Sequence, residues 1–257
     1  MTANSEDISD FGDVPSAPKN TSRGKFTLLH LLGLIGIIGL LIGLFLPASR
    51  SARPAARRAM CVSNLRQIAL ALHEYQSAYK VLPPAYTVDA AGKPLHSWRT
   101  LILPYLDQQS LYEMIDLSKP WNDPANQQAL DTPLAVYRCP ERNSAANTTA
   151  YLAIVTPDGC FLPDRSRQLN EITDDHKSTL MLIEVSSDQA VPWMAPIDAT
   201  ESLVMGLGPQ SKLNHNGGMN AAFLDGSVRF LKANTPATQR RAIISISGDD
   251  DNVVRDL

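Results

Sequence analysis

The sequence predicts an α+β protein: a long N-terminal helix that starts as a membrane segment and continues into a helix packed on an antiparallel β-sheet. Three observations predict it. Residues 26–46, FTLLHLLGLIGIIGLLIGLFL, form an uncharged run of about 21 residues closed by Pro47. Cys61, Leu65, Ile68, Leu72, Tyr75 and Tyr79 then recur at alternating spacings of four and three, one apolar stripe along a helix. Beyond residue 150 the pattern becomes that of short strands, ending in two apolar runs joined by Asp225-Gly226.

Residues 1–24 are polar and show no apolar periodicity, the pattern of a disordered leader. The run at 26–47 is long enough, at about 1.5 Å per residue, to cross a hydrocarbon layer roughly 30 Å thick. It is also longer than the apolar core of about 7 to 15 residues in a secretory signal. Gly33, Gly36, Gly39 and Gly43 fall along one side of this helix, the last pair as GxxxG, which suits close approach of a second helix. His30 is ionisable and lies inside the run, which makes it a functional candidate.

After Pro47 the helix is expected to continue to about Tyr79, with a kink at Pro54, and to stop before Pro83-Pro84. Two short helices are expected across residues 101–115, broken near Pro104. Strands are expected at 151–155 and 179–185. A hairpin of 219–224 and 227–231 turns at Asp225-Gly226, a dipeptide that tolerates the positive φ of a type I′ turn. A last helix is expected at 238–245, followed by an acidic tail at 247–257. The folded domain therefore occupies 48–246.

Of 257 residues 44% are hydrophobic and 19% charged, enough for an anchor and one domain with a real core. The net charge of −3 is spread along the chain and leaves no basic footprint for nucleic acid. Cys61, Cys139 and Cys160 form no CxxC pair and no metal-ligand spacing. In an oxidising compartment a Cys61–Cys139 disulfide would close a loop worth roughly 4 kcal/mol. Three buried thiols are the alternative.

The segment GKFTLLHLLGLIGIIGLLIGLFLP resembles the N-terminal signature of type IV prepilins and pseudopilins, matching at Phe26, Thr27, Leu28, the Ile-Gly-Ile-Ile-Gly centre and Pro47. That signature has Gly before the Phe and Glu at its fifth position; here Gly24 is displaced by Lys25, and the Glu is His30. The resemblance therefore implies an uncleaved, membrane-anchored relative. Basic residues flank both ends of the run: Lys19, Arg23 and Lys25 precede it, and Arg50, Arg53, Arg57 and Arg58 follow it. The excess on the C-terminal side would place the domain in the cytoplasm. The resemblance implies the reverse, a single-pass protein of the cytoplasmic (inner) membrane with its domain outside, and that orientation is adopted here.

The remaining sequence is similar to the DUF1559 family of planctomycete-type pilin-like proteins with a C-terminal H-x9-DG motif. The matching pieces include Cys61-Val62-Ser63-Asn64-Leu65-Arg66-Gln67, Ser97-Trp98-Arg99, Leu103-Pro104-Tyr105-Leu106-Asp107-Gln108, Arg138-Cys139-Pro140, Ile172-Thr173-Asp174, and His215 with Asp225-Gly226-Ser227. The resemblance implies a pilin-like fold and no particular activity. The expected role is structural or assembly-related, with the bilayer and other pilin-like subunits, or copies of itself, as partners.

No GxSxG, HExxH, P-loop or dinucleotide motif is present, so neither an enzyme nor a cofactor is expected. The alternative is an anchored ligand- or calcium-binding domain formed by the Trp98, Trp121 and Trp193 loops with His215 and Asp225. Glu184 would join that pair if it faces the same side.

Overall fold

A computed structural model describes residues 28–140 and 145–248, with the side chains of 29 and 43–52 excepted. Gly24, Lys25, Phe26, the leader and the acidic residues from 249 onward lie outside the described residues. The chain divides into two compact units, Met1–Ser49 and Arg50–Leu257.

Helix α1 is assigned to Leu28–Tyr79. In the first unit residues 30–42 are all exposed. Among the described residues no helix is long and apolar enough to cross a membrane. The predicted 26–47 span is only partly described, and its described side chains fall short of the roughly 20 apolar residues a crossing needs.

In the second unit the predicted stripe packs as its period requires: Cys61, Leu65, Ile68 and Leu72 are fully buried. Tyr75 is half-buried against the core and Tyr79, at the helix end, is exposed. Termination comes from Lys80, which takes a left-handed φ of 65°, three residues before the first proline.

A small hairpin follows, β1 (Tyr86–Val88) and β2 (Pro94–Ser97), then the short helices α2 (Trp98–Leu101), α3 (Gln109–Glu113) and α4 (Gln127–Leu130). The 3₁₀ turn Leu103–Leu106 carries Pro104 between α2 and α3, where the break was expected. Next come β3 (Thr148–Thr149), β4 (Tyr151–Ala153), β5 (Leu180–Glu184), β6 (Val191–Pro192), α5 (Glu201–Met205), β7 (Gly218–Phe223), β8 (Val228–Lys232) and α6 (Ala237–Ile244). β4, β5, β7 and β8 pair in that order as one fully antiparallel sheet. The architecture is α+β.

The hairpin between β7 and β8 forms where expected but with a different turn. Only Gly226 has positive φ, 83°, and Asp225 does not. Gly226 N–H donates to the Phe223 carbonyl and Phe223 N–H to the Ser227 carbonyl. This is a three-residue loop closed by a left-handed glycine, since a type I′ turn would need both central residues at positive φ. The Asp225 carboxylate accepts from Ser227 N–H at 2.9 Å, an Asx contact that fixes the turn.

The Ser97-Trp98-Arg99 landmark is structural. Arg99 is fully buried and donates to the Tyr151 carbonyl at 3.1 Å, Ser97 Oγ at 2.6 Å and Asp198 Oδ1 at 2.6 Å. The same Asp198 oxygen accepts from Trp98 Nε1 at 3.1 Å and Ala153 N–H at 2.8 Å. One carboxylate thus ties α2 to β4. Replacing Arg99 with Ala strands that charge in the core and is expected to cost about 3–5 kcal/mol. Urea denaturation of the variant measures it, and a loss under about 1 kcal/mol would contradict the role given to the pair.

His96 is fully buried, with Nε2 2.7 Å from the Lys119 carbonyl. Burial lowers its pKa from 6.5, against the opposing pull of backbone contacts at Lys119 and Asp116 and the Asp116 charge. A depressed folded-state pKa gives stability that is fully present above 6.5 and lost as pH falls below it. His73, depressed by burial as well, adds in the same direction. Denaturation curves at pH 7.5 and pH 5.5 are therefore expected to differ less for His96→Gln than for the parent chain.

Candidate functional site

Strand pairing places a row of side chains on one face of the sheet. Tyr151 pairs with Glu184, and Asn220 pairs with Phe230. Ile183 pairs with Ala221, so the same register sets Glu184 across from Asn220. Residues directly opposite each other share a face. The row therefore reads Tyr151, Glu184, Asn220, Phe230 across four strands.

The second half of α1 lies over this row. Arg58 places its guanidinium 3.8 Å above the Phe230 ring and donates from Nε to Asn220 Oδ1 at 3.4 Å. Asn64 Nδ2 reaches Tyr151 Oη at 3.4 Å and donates to the Arg138 carbonyl at 2.8 Å. That last contact pins the segment after the 3₁₀ turn Ala135–Tyr137 one helical turn from Cys61. Cys139 is thereby delivered to the helix, with its Sγ 2.6 Å from Cys61 Sγ.

Glu184 is the last residue of β5 and is 1% exposed. Its carboxylate meets His215 Nε2 at 3.0 and 3.2 Å and accepts from Asn220 Nδ2 at 2.6 Å and Asn214 Nδ2 at 3.4 Å. His215 arrives through a tight reversal: it bridges to Gly218, and Gly217 between them has φ of 81°, which glycine adopts without strain. Cys61, Cys139, Glu184 and His215 are all buried, and one potential ligand atom from each lies within 4.8 Å of all the others.

Burial opposes charge on both members of the acid–base pair, but their contacts win. Hydrogen bonds with Cys139 and Glu184, and the Glu184 charge, lift the His215 pKa to about 9. The His215 contact holds the Glu184 carboxyl below its ordinary value. The pair is thus an imidazolium and a carboxylate at neutral pH. The Cys139 thiol is pushed up, by its contact with Cys61 and then by burial.

The structure separates His215 from Asp225. β7, six residues and about 20 Å long, lies between them, and Asp225 is an exposed turn residue. They do not share a calcium site. His215 instead meets Glu184, the strand carboxylate that sequence reasoning placed beside it conditionally, and the two cysteines. Trp98 and Trp193 are buried, 0% and 1% exposed; Trp98 contacts Phe161 and Trp193 stacks on Tyr137. They fill the core rather than line a cleft. Cys160 is buried elsewhere, and His30 lies in the exposed apolar stretch of α1.

Spacing rules could not find this quartet, because its members come from a helix, a loop, a strand and a second loop far apart in sequence. Sequence reasoning named its members in two separate pairs, Cys61 with Cys139 and Glu184 beside His215, and did not join them. Residues 50–157 match the family whose description reads protein of unknown function (DUF1559). The match covers Cys61 and Cys139, while Glu184 and His215 lie beyond it. No curated protein matches the chain, and no solved structure matches it.

Asn220 is the buried donor closest to the Glu184 carboxylate, so Asn220→Ala removes a charge-assisted hydrogen bond. A loss of about 1–3 kcal/mol is expected. Thermal and urea unfolding check it, with the exposed Asn122→Ala as the neutral comparison.

Proposed function

We propose that this chain is a membrane-anchored, pilin-like structural or assembly subunit of the inner membrane. It carries an extracytoplasmic domain and acts through contact rather than catalysis. The observation that carries the reading is the surface of α1 between residues 28 and 42, where ten Leu and Ile side chains are exposed. Each keeps roughly half or more of its surface exposed, so covering it is worth about 1 kcal/mol or more. Their sum is comparable with the whole stability of an ordinary domain, so this surface calls for lipid or other helices around it. It belongs to the uncharged run 26–46, whose prepilin-like pattern supports the same reading.

Gly33, Gly36 and Gly39 have open space where a Cβ would stand. A neighbouring apolar helix, from a second copy or another pilin-like subunit, fits against that face and displaces lipid along it. The filled positions of Trp98 and Trp193 also support a structural domain over a ligand cleft.

Membrane fractionation of the full chain tests the anchor. Retention in the pellet through alkaline carbonate, with release by detergent, is the expected outcome, and release by carbonate alone would end the reading. In the same membranes the Gly39→Leu/Gly43→Leu variant is expected to give several-fold less crosslinked dimer. Equal crosslinking would exclude packing through the glycine face.

A further inference from the structure

The buried quartet is independent of any membrane anchor and has its own chemistry. We propose that Cys61, Cys139, Glu184 and His215 are the four ligands of a closed structural site for a divalent cation of the zinc class. Their convergence is the central observation: two thiols, an imidazole and a carboxylate, from four separate segments, meet as buried side chains. A single cation accounts for all four. A sulfur–sulfur bond alone would account for the two cysteines and not for their approach to the acid–base pair.

The donor set selects the ion. Calcium and magnesium take oxygen ligands, whereas two sulfurs and a nitrogen favour zinc or a similarly thiophilic ion. Tetrahedral zinc, with bonds of about 2.3 Å to sulfur and 2.0–2.2 Å to nitrogen and oxygen, holds its ligand atoms roughly 3.3–3.8 Å apart. The quartet spans separations from 2.6 Å to 4.8 Å, so shifts of about 1 Å bring all four to that distance. A bound cation requires both sulfurs as thiolates and the imidazole neutral, so loading releases protons. The product carries one net negative charge, and Arg58, joined to Glu184 through Asn220, faces it.

The surroundings are those of a ligating carboxylate. Asn220 and Asn214 both donate to Glu184 and set its plane, as outer hydrogen bonds do around bound metals. A surface pocket of about 520 Å³, lined by Arg58, Asn214, His215 and Asn216, reaches the imidazole from outside and supplies a route for the ion. With four protein ligands no position is left for substrate, so the role is to lock α1, the Cys139 loop, β5 and the approach to β7 together.

The test uses the full chain, purified in detergent with a reductant and supplied with zinc, then with cobalt as a spectroscopic substitute. One zinc per chain after dialysis is expected, and cobalt should give thiolate charge-transfer absorption with the intense visible bands of a tetrahedral site. Glu184→Gln is expected to weaken zinc at least tenfold, and Cys139→Ser to abolish the charge-transfer band. Cys160→Ser should change neither. Three results would overturn the proposal: a Cys61–Cys139 disulfide in the unreduced chain with no metal bound; no stoichiometric metal in the reduced parent; or cobalt bands unchanged in Cys139→Ser. The parent spectrum decides even if a variant does not fold.

Discussion

Glu184 carries a negative charge at the end of a strand that water does not reach, and much of the second unit can be understood as the answer to it. A carboxylate taken out of water costs several kcal/mol unless it is matched by charge and by hydrogen-bond donors. Here the charge comes from His215 and donors come from Asn214 and Asn220. Each of those residues is placed by something else: His215 by the reversal at Gly217, Asn220 by the register of β7, Asn214 by the loop between α5 and β7. Satisfying one acid constrains both β7 and the loop that leads into it.

The same row of the sheet seats the helix. Arg58 stacks on Phe230 and bonds Asn220, while Asn64 reaches Tyr151 and holds the Cys139 loop. Cys61, between these polar clamps, and Leu65, Ile68 and Leu72 beyond them supply the apolar contact. The division of labour is physical. Burial supplies most of the free energy and sets which face of the helix turns inward, and the hydrogen-bonded row adds directional contacts. Arg99 and Asp198 repeat the device at the other side of β4, where one buried ion pair gathers Ser97, Trp98, Tyr151 and Ala153.

Within the assigned length of α1 two kinds of helix surface occur. Residues 31–42 are apolar and exposed all round, whereas 61–72 bury one stripe and turn Arg66, Gln67 and Leu70 outward. An amphipathic stripe is what a helix needs when one side meets a protein core and the other meets water. Uniform apolarity suits a surrounding that is the same on every side, and lipid or a bundle of like helices provides it.

The sequence by itself determined the pieces whose signals are local. The helical stripe, the break near Pro104, the strands around 151 and 182 and the hairpin about Asp225-Gly226 were all legible, because a helix or strand imprints its period on residues a few positions apart. The turn geometry was not, since Asp-Gly serves more than one hairpin loop and the strand register selects among them. The candidate site was legible only in halves, Cys61 with Cys139 and Glu184 beside His215, and not as one cluster. Cys61, Cys139, Glu184 and His215 meet only because a helix, a loop and two parts of a sheet fold over one another, and no periodicity links residues so far apart. Tertiary structure also decided that Asp225 stands apart from His215, because an extended strand carries its two termini to opposite ends of the sheet.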